Sequence, residues 1–140
     1  MERWITVSGL SVAMLLVGSL AQAATASLDG ASAYIISPAD GATVSSPVKI
    51  QFGLKGMGVA PAGVDKANTG HHHLLVDGAM QNMMEPIGKD AMHMHFGGGQ
   101  TEAMLKLKPG KHSLQLLMGD KGHVPHNPPV MSRMISITVK

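Results

Sequence analysis

From Val48 to Leu54, large apolar side chains take strict turns with polar or small ones. Val48, Ile50, Phe52 and Leu54 alternate with Lys49, Gln51, Gly53 and Lys55. A two-residue period puts alternate side chains on opposite faces, which suits a half-buried strand and no helix. The same period recurs at Thr101–Leu107, with Ala103, Leu105 and Leu107 on one face, and at His112–Met118, with His112, Leu114, Leu116 and Met118 together. It returns in Met131–Lys140, where Ile135, Ile137 and Val139 point inward. Shorter strands are expected at Tyr34–Ile36, His71–Asp77 and Met92–Phe96. Turn signals separate them: Asp40-Gly41, the glycine-rich stretch Gly56–Gly70, Gly78–Asp90, Gly97-Gly98-Gly99, Pro109-Gly110 and the proline-rich Gly119–Val130. Met80, Met83 and Met84 fit one face of a short helical turn, but Pro86 and Gly88 would end it. About seven short strands without a helix predict an all-β fold, an immunoglobulin-like antiparallel β-sandwich, with a small barrel as the competing closure.

The first residues follow another logic. Arg3 carries a positive charge, Ile5–Leu20 is apolar apart from small polar residues, and Ala21-Gln22-Ala23 has the small-x-small form of a signal-peptidase site. Residues 1–23 are therefore expected to be a secretory signal cut after Ala23, with Ala26 as the second choice, and no cysteine makes a lipobox there. A retained membrane anchor is the competing reading of this run, which is marginal in length for a bilayer. Cleavage leaves a small, polar, mobile arm over residues 24–33 and one domain over 34–140. The product is expected to be periplasmic or secreted, with no membrane attachment.

Composition narrows the chemistry. The 140-residue chain has no cysteine, so a metal site here must use imidazole, carboxylate, thioether or backbone. A formal charge of +2, with no dense basic patch and few aromatics, gives no footprint for nucleic acid.

Histidine is where the chain is unusual. Seven of its eight histidines fall in three groups: His71-His72-His73, His93 with His95, and His123 with His126. On a strand, residues i and i+2 share a face, so His71 pairs with His73 and His93 with His95, while His72 takes the other side. His123 and His126 lie three apart, where a turn can aim both one way. Neutral imidazole is the commonest protein ligand of zinc, copper and nickel. The expected metal set is His71, His73, His93, His95, His123 and His126, and the expected ion is copper or zinc. The spacing matches no zinc-finger or zinc-protease signature. The competing use is structural, with imidazoles bonded to loop carbonyls, as expected for His112. Of the 12 methionines, Met104, Met118 and Met134 are expected in the core. Met92 and Met94 interleave with His93 and His95 and are open to either core packing or ligation of Cu(I).

No catalytic constellation emerges. Asp77, Glu85, Asp90, Glu102 and Asp120 form no paired-carboxylate motif, His112-Ser113 is no triad, and Gly97-Gly98-Gly99 lacks the lysine of a phosphate loop. No enzyme activity is expected.

The segments Ser37-Pro38-Ala39-Asp40-Gly41, Phe52-Gly53-Leu54-Lys55-Gly56-Met57-Gly58-Val59-Ala60-Pro61, Gly70-His71-His72-His73-Leu74-Leu75-Val76-Asp77, His95-Phe96-Gly97-Gly98-Gly99-Gln100, Pro109-Gly110-Lys111-His112 and His123-Val124-Pro125-His126 together resemble a bacterial exported family, catalogued as domain of unknown function 4399. The resemblance spans nearly all of the mature chain. It implies an exported single domain and no particular activity. The Ser37–Gly41 opening followed by a strand is also similar to periplasmic copper carriers of the CopC type. Those carriers often use a mature N-terminal histidine, and neither cleavage site here exposes one, so a histidine brace is not expected. The functional expectation is a carrier, buffer or sensor of a transition metal. The alternative is a non-catalytic module that binds an envelope protein or small ligand through histidine-lined loops.

Overall fold

The computed structural model describes residues 23–140, so the signal segment, but for Ala23, lies outside the described residues. All regular structure among them is β: β1 (Ser32–Ser37), β2 (Thr43–Val44), β3 (Val48–Lys55), β4 (Gly58–Val59), β5 (Thr69–Val76), β6 (His93–His95), β7 (Glu102–Leu105), β8 (Gly110–Gly119) and β9 (Ile135–Val139). Each segment with the two-residue period contains a strand, although β7 covers only Glu102–Leu105 of Thr101–Leu107 and β9 only Ile135–Val139 of Met131–Lys140. β2 and β4, two residues each, carry no such signal and exist by pairing with a neighbour. The turn-like run Met80–Met84 forms no helix.

Two sheets result. One has the order β1-β3-β7; the other has the order β2-β9-β8-β5-β4, with β6 also paired to β5. Most pairs are antiparallel, but β2 runs parallel to β9 and β4 parallel to β5, so the second sheet is mixed rather than purely antiparallel as expected. The arrangement is consistent with a β-sandwich. One core joins the inner faces: Val48, Ile50, Phe52 and Leu105 from the first sheet meet Leu74, Val76, Leu114, Leu116, Met118, Ile135, Ile137 and Val139 from the second. Each fully buried aliphatic side chain there adds about 1.5–3 kcal/mol of transfer free energy. Met118 is in this core as expected. Met104 and Met134 are not, being 59% and 51% exposed, because they sit on the outward side of the alternation.

β5 is covered on both faces. His72, Leu74 and Val76 point into the sandwich, while Leu75 faces outward into a small second cluster with Ile87 and Leu117. The segments over residues 78–92 and 120–130 roof that outer face, tied to each other by the Ile87 N–H donating to the His123 carbonyl at 2.8 Å. The segment expected as a mobile arm lies against the second of these. Thr25 Oγ1 donates to Asp120 at 2.7 Å, the Ser27 N–H donates to the Asn127 carbonyl at 3.2 Å, and the Asn127 N–H donates to the Thr25 carbonyl at 2.9 Å. Its small residues carry no burial signal in sequence; backbone and hydroxyl bonds hold it.

Candidate metal centre

The outer face of β5 presents His71 and His73, both fully buried. The register sets His95 of β6 opposite His73, so a third imidazole arrives from the neighbouring strand. The fourth comes from the loop after β8. There Asp120 accepts the N–H groups of Gly122 and Val124 at 2.9 and 3.0 Å on one carboxylate oxygen, while its carbonyl accepts the N–H of His123 at 2.9 Å. This bonding curls the chain so that His123 takes a φ of +68°, an uncommon conformation for a residue with a side chain. The turn delivers its ring to the other three. One ring nitrogen each from His71, His73, His95 and His123 lies within 4.8 Å of all the others. His71 Nε2 is 3.1 Å from His123 Nδ1, and the ring centroids of His71–His73 and His95–His123 are 4.6 and 4.7 Å apart.

Two glycines make room for these rings. A Cβ on Gly119 would stand 2.6 Å from Cε1 of His73, and a Cβ on Gly97 would overlap the ring of His95.

The polar accounting of the group is incomplete within the protein. Nδ1 of His71, both ring nitrogens of His73 and Nε2 of His95 are buried with no hydrogen-bond partner among the described residues. Buried polar groups are almost always satisfied, and each orphan costs about 1–3 kcal/mol. A cation at the centre of the four would take up one lone pair from each ring. Three of the rings are held in the protonation state that ligation requires. Burial first, then the neighbouring imidazoles, lowers His71 to about 4 and His73 to about 3. Burial, then His123 and Lys89, lowers His95 as well. These three rings are therefore neutral at pH 7 and present lone pairs, as a metal ligand must.

Two of the six expected ligands lie elsewhere. His93 does share a face with His95, but it sits two pairs further along, opposite Leu75. Both its ring nitrogens are engaged: Nδ1 with the Asp90 carboxylate at 2.9 Å, Nε2 with the Met80 carbonyl at 2.8 Å. Only the imidazolium donates to both acceptors, and the Met80 carbonyl, then Asp90, raise its pKa. A ring with both nitrogens committed to acceptors is no ligand; it staples the loop after β5 to β6. His126 is buried beside Gly70, with Nε2 3.2 Å from the Thr69 carbonyl, and stands outside the group of four. His112 bonds Asp77 at 3.0 Å and the Lys108 carbonyl at 2.7 Å, the structural use expected of it. Met94 packs against the main core, and Met92 is 42% exposed.

Beside the group lies a pocket of about 270 Å³ lined by Ile87, Lys89, His95 and His123. Lys89 was not singled out in the sequence, where nothing in its surroundings marks it. Asp120, one of the carboxylates without a paired motif in the sequence, serves to hold its own loop.

Residues 50–140 match the model of a family described as Domain of unknown function (DUF4399). No curated protein and no solved structure matches the chain, so neither comparison returns a periplasmic copper carrier.

Proposed function

The chain belongs to the DUF4399 family, and on that premise we propose that it is an exported domain that binds one transition-metal ion, copper(II) or zinc, through His71, His73, His95 and His123. It acts as carrier, buffer or sensor and not as an enzyme. The observation that carries this is the convergence of four imidazole nitrogens within 4.8 Å, three of them on rings, His71, His73 and His95, that hold buried nitrogens without a partner. His93 and His112 spend their nitrogens on carbonyls and carboxylates; buried His72 bonds neither of its own but faces the core, alone, so it is the convergence of four rings that marks the site. All-imidazole ligation suits copper(II) and zinc. The signal pattern of residues 1–23 supports export to the periplasm or medium. The strand order supports an immunoglobulin-like sandwich: β1-β3-β7 follows the A-B-E order, and β9-β8-β5-β6 follows G-F-C-C′.

The test is calorimetric titration of tag-free, chelator-treated protein with copper(II) and zinc(II). One ion per chain is expected. His95→Ala should abolish stoichiometric binding, whereas His93→Ala and His126→Ala should keep it. Equal binding by His95→Ala and the parent would return these rings to a structural role.

A further inference from the structure

Four neutral imidazoles hold an ion without cancelling any of its charge. The buried carboxylate nearest in sequence to these ligands, Asp120, is committed to Thr25 Oγ1 and the N–H groups of Gly122 and Val124. Its charge acts on the His71 imidazole from those bonds. His95 and His123 are only partly buried and line the 270 Å³ pocket, which Lys89 shares. The lysine ion pairs of the described residues use Lys49 and Lys121; Lys89 has no acidic partner among them. Neighbouring Asp90 is bonded to His93. An unpaired ammonium beside the ligands of a cation raises the positive potential there instead of lowering it. Sites that admit an outside ligand keep a coordination position open or expand to a fifth.

We propose that the loaded centre takes a small anion as a further ligand, entering through the pocket beside His95 and His123 and held by the Lys89 ammonium. This rests on the metal-binding reading above. The anion's donor atom binds the ion directly, and Lys89 supplies the countercharge at its outer end. The ligand class is a small inorganic anion or a short carboxylate, because the pocket has one cation and one apolar wall, Ile87.

The probe is azide, added to the copper(II)-loaded protein and followed by absorption and electron paramagnetic resonance. A new azide-to-copper charge-transfer band is expected, saturating at one azide per copper, with copper retained. Lys89→Gln should bind copper with parental stoichiometry but azide about three- to tenfold more weakly, the scale of one nearby charge at a solvated flank. Lys89→Arg should restore the affinity, and the difference should shrink as salt is raised. No new band, azide affinity unchanged in Lys89→Gln, or removal of copper by azide overturns the anion site while leaving the metal reading in place. A parent that fails to bind copper(II) or zinc(II) stoichiometrically overturns both.

Discussion

At the scale of single residues, the centre depends as much on what is missing as on the ligands. Gly119 carries no side chain where the ring of His73 must lie, at the end of a strand whose φ any residue could adopt. Gly119→Ala is therefore a probe of ring position and not of backbone strain. Its methyl would meet Cε1 and Nδ1 of His73 at 2.6 and 3.1 Å, so the ring must move. Supporting changes of this kind cost about 10–100-fold in metal affinity, and that loss is expected in copper(II) titration. Gly58→Ala is the control, because a Cβ there meets Thr69 Cγ2 at an ordinary 3.5 Å. Parental affinity in Gly119→Ala would remove His73 from the ligand set. The sequence shows the histidines but not this constraint. A glycine that admits a ring from across a sheet looks the same in sequence as one that ends a strand.

Among the elements, the strands with an unbroken period were legible, and the pieces made by long-range pairing were not. Val48–Leu54 and His112–Met118 declare their faces through alternation, and the core uses those faces. β2 and β4 are short edge pieces created by β9 and β5, and nothing local encodes them. The site divides the same way. The i, i+2 rule places His71 and His73 together, and by the same rule it also groups His93 with His95. What separates His93 is register, the pairing of His95 with His73 and of His93 with Leu75, which is a property of two strands at once. His123 is reached through a turn built on Asp120, and His126, three residues on, is aimed at the Thr69 carbonyl instead. The element that carries most of the consequence is β8, which pairs with β5 over six residues and fixes the sheet beneath the centre. Leu116 is fully buried on its inner face, opposite Leu74. Leu116→Ala should lower unfolding free energy by about 2–5 kcal/mol in denaturant titration. Metal stoichiometry should survive, since the centre lies on the outer face. A cost below about 1 kcal/mol would contradict this packing.

For the whole molecule, the buried histidines make stability depend on acid. His71, His72 and His73 are all fully buried and, chiefly through desolvation, titrate at about 4, 4 and 3. In the unfolded chain they return to the ordinary value near 6.5. Between these values the unfolded chain binds protons that the fold excludes, so unfolding free energy rises with pH there and falls as pH drops from 6.5 toward 4. Each such group contributes at most about 1.4 kcal/mol per pH unit in that window. His93 and His112 act in the opposite sense. Their pKa values are raised, by the carbonyls of Met80 and Lys108 first and then by Asp90 and Asp77. Their contribution is complete below 6.5 and is lost as pH climbs through the folded values, so it does not offset the acid loss within the window. His72 separates this effect from the metal, because it points into the sandwich, 5.2 Å from the ring of Phe52, with neither ring nitrogen bonded. Metal-free parent and His72→Leu should be unfolded by urea at pH 7.5, 6.0 and 5.0. The parent's midpoint should fall at each step, and that of His72→Leu should fall less, so the gap widens in favour of the variant as acid is added. Parallel midpoints across the three pH values would mean that His72 is protonated equally in both states, and with it would go the picture of an imidazole held neutral by the core.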